Sequence, residues 1–186
     1  MVDIYKLKVV PMTEETFGPC GILMDAKERP KDHRQSFPID FQVNGRTTVN
    51  VMWQPHAGIS FSKLERHFGV TQCFVQISGA PAVVCAAAPT DMNDPQAIPE
   101  LDQIHAFLIN PEKGFTFHRG TWHSLNRFLL APPGGTFIFL NTDPNPTQIV
   151  DYQENSSVTY PDLASQENPT TAELKKKYGI TFELTL

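Results

Sequence analysis

Short apolar stretches recur along the whole chain, many of them alternating apolar with polar residues, and turn-forming residues separate them. Successive side chains of an extended strand point to opposite faces, so this alternation predicts strands with one buried face. The predicted strands are Ile4–Val10, Thr48–Trp53, Ile59–Leu64, Cys73–Ile77, Ala82–Ala88, Ile104–Ile109, Phe115–Phe117, Arg127–Leu130 and Thr136–Leu140. The sixteen prolines and eleven glycines of the chain oppose long helices. The pattern is typical of an antiparallel β-sandwich or β-barrel.

Two short helices are predicted at the margins of this pattern. Thr13 can cap a helix over Glu14–Phe17, whose acidic residues favour the positive helix end. A second helix is predicted from about Thr170 to Tyr178, because a threonine precedes it, three lysines lie near its end and Gly179 can end it. A short strand over Ile180–Leu184 follows.

The chain of 186 residues fits a single domain, 1–186, and is long enough to bury most of its apolar surface in one core. Neither an internal repeat nor a second domain boundary interrupts it. The charged stretch 26–36 and the stretch 141–168, rich in Pro, Asn, Asp and Ser, are predicted to be surface loops.

The amino-acid composition limits the kinds of partner that the protein is expected to bind. The net charge is −5, and the one basic run, Lys175–Lys177, is short, so neither nucleic acid nor an anionic membrane is expected as a partner. No apolar run approaches the ~20 residues of a membrane span, and the N-terminus lacks a signal-peptide pattern. Three separated cysteines, Cys20, Cys73 and Cys85, indicate buried thiols in a reducing cytoplasm.

The segment Lys63–His67, KLERH, holds the first cluster of chemically active side chains. In a strand, Lys63, Glu65 and His67 share one face, and the two residues between them point the other way. A carboxylate and an imidazole on one face can bind a divalent metal or divide acid and base roles. The alternative is a strand edge that carries ordinary surface charges.

The segment Phe117–Leu125, FHRGTWHSL, holds the second cluster, in which His118 and His123 flank a glycine turn. A lone histidine is more often a structural hydrogen-bonding residue than a ligand. Trp122 in such a segment more often packs in the core than contacts a substrate. Taken alone, neither cluster decides between a functional site and ordinary structure.

Taken together, the two clusters resemble the paired motifs of the cupin superfamily, which are small β-barrels of jelly-roll type. The motif positions are occupied by Glu65, His67, Gln72, Gly79, His118, Gly120 and His123. Three of these depart from the usual motif, since a Glu replaces the first His, a Gln replaces the Glu, and a His replaces the turn Pro. The resemblance implies an all-β, cupin-type jelly-roll barrel with one or two short peripheral helices.

Three longer strings resemble the ureidoglycolate lyase (ureidoglycolate hydrolase) family within that superfamily: LERHFGVTQCFVQISG, AFLINPEKGFTFHRGTWH and FIFLNTDPNPTQIVDY. The resemblance covers about residues 5–152. The insert 89–103 and the tail 153–186, predicted to be a surface extension with the second helix and the terminal strand, fall outside it. The resemblance implies a carbon–nitrogen lyase that cleaves (S)-ureidoglycolate, a carbinolamine 2-hydroxy acid, to glyoxylate and urea in allantoin and purine breakdown.

The resemblance also implies a metal site at Glu65, His67, Gln72 and His123, and no organic cofactor. Two imidazoles, a carboxylate and an amide oxygen suit Ni, Mn, Fe or Zn. Because the amide of Gln72 is neutral, the same residues could instead bind substrate without a metal.

Further roles follow from the resemblance and from the strand parity. His118 is the candidate acid or base outside the ligand set, and Lys63 is a candidate to hold the substrate carboxylate. The candidate catalytic residues are His118, Lys63 and Glu65, and the candidate substrate-binding residues are Arg119, Gln72 and Trp122. Arg66 is expected to point away from them and to be structural.

Other functions remain open from the sequence. One is a related cupin lyase or hydrolase that acts on another small 2-hydroxy or 2-oxo acid adduct, and another is a non-catalytic small-molecule-binding cupin. The expected partner is a small-molecule substrate. The family resemblance also implies a homodimer, in which a second copy covers an open sheet edge.

Overall fold

Strands dominate residues 2–25 and 36–186, the part of the chain that the computed structural model describes. The one α-helix among them is α1 (Glu14–Phe17), and a 3-10 turn spans Leu101–Gln103. The strands are β1 (Asp3–Pro11), β2 (Gly21–Met24), β3 (Arg46–Pro55), β4 (Ser60–Phe61), β5 (Lys63–His67), β6 (Cys73–Gly79), β7 (Ala82–Ala87), β8 (His105–Leu108), β9 (Gly114–Phe117), β10 (Trp122–Ser124), β11 (Phe128–Leu129), β12 (Gly134–Asp143), β13 (Thr147–Asp151), β14 (Ser156–Tyr160), β15 (Thr170–Glu173) and β16 (Ile180–Thr185).

Two sheets form the molecule. The larger has eleven strands in the order β15-β14-β13-β5-β10-β7-β8-β1-β16-β4, with β11 paired to β7, and the smaller has the order β2-β9-β6-β12-β3. Neighbours are antiparallel except that β1 runs parallel to both β8 and β16. The larger sheet curls over the smaller one, so the predicted all-β, cupin-type jelly-roll fold is confirmed. No helix in the described ranges has the length and apolarity to cross a membrane.

Alternation along the larger sheet divides the core into two clusters. Leu64 and Trp122 belong to an outer cluster with the tail residues Ile180 and Phe182. The alternate residues of β7 belong to an inner cluster, which packs against Phe74 and other aromatic rings of the smaller sheet. Side chains that neighbour Leu64 and Trp122 in sequence therefore face the inside of the barrel.

The predicted strands and the first helix are confirmed. Each of the nine predicted strands overlaps an observed one, although Ile59–Leu64 divides between β4 and β5. Thr13 caps α1, since its hydroxyl accepts a hydrogen bond from the backbone N–H of Thr16 at 3.1 Å. The three cysteines are free and buried, as expected. Residues 26–35 of the predicted 26–36 loop lie outside the described residues.

The second predicted helix is wrong. Residues 170–173 form strand β15, which pairs with β14, and 174–178 form no helix. β-Branched Thr170 and Thr171 fit a sheet edge, and pairing with β14 outweighs the capping signal. The tail is also not a surface extension, because Leu174, Ile180 and Phe182 are buried in the outer cluster. The predicted terminal strand is confirmed as β16.

The predicted surface loop 141–168 is wrong over much of its length. Residues Thr147–Asp151 form β13, which lies between β5 and β14 inside the larger sheet. Val150 and Tyr152 are fully buried. The polar residues of this segment favoured a loop in the prediction. In the structure, β13 buries its polar side chains and pairs them in hydrogen bonds.

The insert 89–103 lies over the outer face of the larger sheet and is held there by Arg66. This fully buried side chain donates to Gln148 Oε1 at 2.9 Å, to Thr90 Oγ1 at 3.1 Å and to the carbonyls of Asp91 and Asp94 at 3.1 and 3.2 Å. Its guanidinium also lies 4.5 Å from the centre of the Trp122 ring. Arg66 therefore points away from the barrel interior and fastens the insert.

Candidate metal centre

Glu65, His67 and His123 converge on the inner face of the larger sheet. Strands β5 and β10 are antiparallel neighbours, and His123 lies directly opposite Glu65 in their register. Oε1 of Glu65 lies 3.7 Å from Nδ1 of His123 and 3.9 Å from Nε2 of His67. One ligand atom from each residue lies within 4.8 Å of the others. The two sequence motifs thus form one group.

Hydrogen bonds fix which nitrogen of each imidazole carries the proton. Nδ1 of His123 lies 3.2 Å from the carbonyl oxygen of Ser124, which can only accept, so this nitrogen is protonated. Nδ1 of His67 lies 2.8 Å from Thr147 Oγ1, whose own hydroxyl donates to the carbonyl of Asn145 at 3.0 Å. The hydroxyl therefore accepts from His67, and in both rings the Nε2 lone pair is free.

Burial sets the charge of this group. The exposed fractions are 9 % for Glu65, 4 % for His67 and 1 % for His123. Burial lowers the pKa of His67 to about 3 and the pKa of His123 well below its ordinary value, with the positive charge of Arg127 acting in the same direction. Burial raises the pKa of Glu65 to about 7, which the charge of Arg127 opposes. Both imidazoles are consequently neutral near neutral pH.

The types of donor atom in this group suit a divalent metal ion. Nε2 of His67 and Nε2 of His123 are buried and have no hydrogen-bond partner. Neutral imidazoles with free lone pairs and a nearby carboxylate form a nitrogen and oxygen ligand set of the kind that Ni, Mn, Fe and Zn accept. The hydrogen bonds from each Nδ1 orient the rings in the way that outer partners of metal-bound histidines do.

Gln72 lies on the inward-facing series of residues that continues along β6 with Phe74 and Gln76. Its side chain is 5 % exposed, and its Oε1 has no hydrogen-bond partner. Its backbone carbonyl accepts from the N–H of Phe117 at 2.8 Å, and the Phe117 ring stacks on His123 with 4.5 Å between centroids. No contact among the described residues joins the Gln72 side chain to the three-residue group, so its role as a fourth ligand stays a prediction.

His118 is held at the end of α1. Its Nε2 donates to the carbonyl of Gly18 at 3.0 Å, and its backbone N–H donates to the carbonyl of Cys20 at 2.9 Å. The turn that follows it uses Gly120 in the left-handed region, at φ +78°. Within the described residues no contact links the His118 ring to the metal-binding group, and its acid or base role stays a prediction.

The remaining predicted site residues lie apart from the group. Lys63 Nζ lies 3.5 Å from Asp151 Oδ2 and is half exposed. Arg119 donates to Asn44 Oδ1 at 3.4 Å. Trp122 is fully buried in the outer cluster, on the face opposite to His123. The structure does not bring these three side chains to the metal-binding group.

Two residues that the sequence did not single out belong to the surroundings of this group. Thr147 supplies the acceptor that orients His67, and Arg127 is a buried cation whose charge acts on all three members. Thr147 lies in a stretch that was predicted to be a loop, so nothing in the pattern marked it. The one sequence signal for Arg127 is its position as a charged residue directly before the apolar stretch FLL.

Comparison with known proteins finds similarity to ureidoglycolate lyases. A family model described as ureidoglycolate lyase matches residues 35–158. A ureidoglycolate lyase of Salmonella enteritidis PT4 is 29 % identical over 150 residues, which span 70 % of this chain and 89 % of that protein. Ureidoglycolate lyases of Salmonella paratyphi B and Salmonella newport are each 28 % identical over 150 residues, with the same coverage of 70 % and 89 %.

Proposed function

This chain belongs to the ureidoglycolate lyase family, and we propose that it cleaves (S)-ureidoglycolate to glyoxylate and urea at the group formed by Glu65, His67 and His123. The observation that carries the proposal is the convergence of the two histidine motifs on one buried group with unpartnered lone pairs. The protein is accordingly a carbon–nitrogen lyase with a small-molecule substrate.

The reaction is an elimination that consumes no water. The substrate hydroxyl loses its proton, the electron pair of that O–H bond forms the new carbonyl of glyoxylate, and the C–N bond breaks. The departing urea nitrogen takes up a proton. The site must therefore remove one proton, supply another and stabilise the developing charge on oxygen.

Within the proposal, Glu65, His67 and His123 would hold a divalent metal ion, with Gln72 as the proposed fourth ligand. Such an ion, when bound, supplies Lewis acidity that lowers the pKa of a substrate hydroxyl and stabilises negative charge on oxygen. The protein fixes the ligands through Thr147 and the Ser124 carbonyl.

Proton handling is assigned to residues beyond the histidine ligands. Glu65 and His118 at the turn are the proposed acid and base candidates. Lys63 and Arg119 remain proposals for contact with the substrate, and so does Trp122, although its buried place favours a packing role.

The proposed function is tested by product analysis. Purified protein supplied with Ni²⁺ or Mn²⁺ is incubated with (S)-ureidoglycolate, and glyoxylate, urea and ammonia are measured. We expect glyoxylate and urea in equal amounts without ammonia, and a much slower reaction with the (R) enantiomer. Ammonia in place of urea would indicate a hydrolase, and glyoxylate release no faster than the uncatalysed rate would remove the proposal.

We also propose a homodimer that forms through the outer face of the smaller sheet. Val49, Val51 and Trp53 of β3 are 71 %, 72 % and 54 % exposed, and Val51, Ile138 and Val75 lie side by side across β3, β12 and β6. A row of exposed apolar side chains on paired strands is unusual for a monomer surface and supports burial against a second copy.

A charge in this face is expected to separate the copies. Light scattering should give about twice the chain mass of 20.8 kDa for the wild type and the single-chain mass for Val51→Lys. Val2→Lys, at an exposed valine outside the smaller sheet, serves as the control and should stay dimeric. A monomeric wild type, or a Val51→Lys variant that remains dimeric, would contradict this interface.

A cytoplasmic location belongs to the same proposal. The three cysteines are free and buried, which suits a reducing compartment. Burial raises the pKa of Cys20 to about 12, so its thiol is protonated and unreactive.

A further inference from the structure

Arg127 is a buried cation inside the barrel. The residue is 3 % exposed and directly precedes β11. Its backbone N–H donates to Gln54 Oε1 at 2.6 Å, which fixes the chain at this point, and its guanidinium lies 3.8 Å from the centre of the Phe74 ring. Phe74 belongs to the inner cluster, so the guanidinium lies on the same side of the larger sheet as the metal-binding group.

Most of its hydrogen-bonding capacity is unused. Nη1 donates to the carbonyl of Leu125 at 3.2 Å, whereas Nε and Nη2 are buried and have no partner. These two nitrogens form one edge of the guanidinium, the edge whose parallel N–H bonds match the two oxygens of a carboxylate. The free edge is therefore shaped for a carboxylate.

No protein group in the described part of the chain neutralises this charge at short range. Glu65 is the carboxylate that acts electrostatically on Arg127, yet no ion pair within 4.0 Å joins them. A buried cation without a paired anion is costly, so a guanidinium in this state is usually retained for a ligand. The Phe74 ring compensates for only part of that cost.

A cavity lies beside Arg127, whose Nε and Nη2 themselves are buried. This cavity of about 270 Å³ is lined by Arg127 together with Met52, Gln54, Ser60 and Asn126, among other residues. Arg127 also lies within electrostatic reach of Glu65 and of both histidines, because its charge shifts their pKa values. Arg127 thus borders the cavity and acts electrostatically on the metal-binding group.

We propose that Arg127 binds the carboxylate of the substrate side-on through Nε and Nη2, and thereby positions the hydroxyl-bearing carbon against Glu65, His67 and His123. This assignment of the substrate class, a small 2-hydroxy acid anion, rests on the proposed function. It replaces Lys63, which is paired with Asp151, and Arg119, whose Nη2 is bonded to Asn44 and which leaves only its Nε buried without a partner among the described residues, as the principal carboxylate contact.

The test compares a charged probe with an uncharged one of the same size. Glycolate is a 2-hydroxy acid, and glycolamide differs from it by the absence of the carboxylate charge. Calorimetry on the wild type, Arg127→Gln and Arg127→Lys measures the affinity for each probe. We expect Arg127→Gln to weaken the binding of glycolate about tenfold or more, because a charge-assisted hydrogen-bonded pair is lost. The affinity for glycolamide should be nearly unchanged. Arg127→Lys keeps the positive charge but lacks the two parallel N–H groups of the guanidinium. Its affinity for glycolate should therefore lie between the affinities of the wild type and of Arg127→Gln.

Arg46→Gln, at a cation that is 75 % exposed and outside the site, is the matched control and should retain glycolate affinity, whereas Arg119→Gln and Lys63→Gln test the competing contacts and should weaken glycolate binding less than Arg127→Gln does. In kinetics with ureidoglycolate, Arg127→Gln should raise KM more than it lowers kcat. Thermal unfolding should show Arg127→Gln to be at least as stable as the wild type, since an unpaired buried charge is removed. A structural role would instead lower stability and weaken both probes alike.

Several results would overturn the assignment. They are a wild type that does not bind glycolate, equal losses for the two probes, an Arg127→Lys variant that equals the wild type, or a greater loss in Arg119→Gln or Lys63→Gln. A wild type that binds glycolate through Arg127 but does not cleave ureidoglycolate would reject the proposed function alone. Cleavage with an unchanged KM in Arg127→Gln would reject the Arg127 assignment alone.

Discussion

In a His123→Ala variant, kcat/KM for ureidoglycolate cleavage is expected to fall about a thousandfold, because several kcal/mol of transition-state stabilisation depend on the three-residue group. Nε2 of His123 is one of two buried lone pairs that the fold leaves free for a ligand. Its removal leaves one imidazole and one carboxylate, which hold a divalent ion less tightly. Steady-state kinetics with metal supplied in excess measure the effect.

His105→Ala is the matched control for this prediction. His105 is exposed on β8 and lies outside the metal-binding group, so the same substitution should leave kcat/KM within about twofold of the wild type. Circular dichroism must show that His123→Ala is folded, since the stacking of Phe117 on the ring is lost. A folded His123→Ala variant with wild-type activity would remove the site assignment.

An Arg66→Ala variant is expected to lose about 3–5 kcal/mol of unfolding free energy. The substitution removes a buried charge with four hydrogen bonds and leaves Gln148 and the carbonyls of Asp91 and Asp94 without their donor. The insert 89–103 loses three of its hydrogen bonds to the larger sheet. Urea denaturation followed by fluorescence measures the change.

Arg46→Ala provides the comparison for this loss of stability. Arg46 pairs with Asp143 at 2.6 Å, but its side chain is 75 % exposed, so its removal should cost less than about 1 kcal/mol. Limited proteolysis should cut the insert faster in Arg66→Ala than in Arg46→Ala. Equal stability of the two variants would show that Arg66 does not hold the insert.

The sequence predicted the half of the site that periodicity and motif spacing encode. Strand parity placed Lys63, Glu65 and His67 on one face, and the paired motifs implied that His123 would join them. The pairing register of β5 and β10 brings the two motifs together in this way, because His123 lies opposite Glu65. Parity also predicted that Arg66 points away from the group.

The parts that the sequence did not predict depend on contacts between distant segments. Arg127 and Thr147 lie in no motif. Thr147 reaches His67 because β13 pairs with β5 and places the two residues opposite each other, and Arg127 acts on Glu65 from the start of β11. The helix expected over 170–178 is a strand, because pairing with β14 outweighs a local capping signal. Local propensity cannot supply information on partners that are far away in the chain.

The central claim is that Glu65, His67 and His123 form the metal centre at which ureidoglycolate is cleaved, and metal content measured alongside glyoxylate release tests it most directly. Protein treated with a chelator, desalted and refilled with a single divalent metal is analysed by mass spectrometry while its activity is assayed. We expect activity to be lost on chelation and to return in proportion to bound metal, up to one ion per chain, in the wild type and not in His123→Ala. Full activity in metal-free wild-type protein would contradict the account.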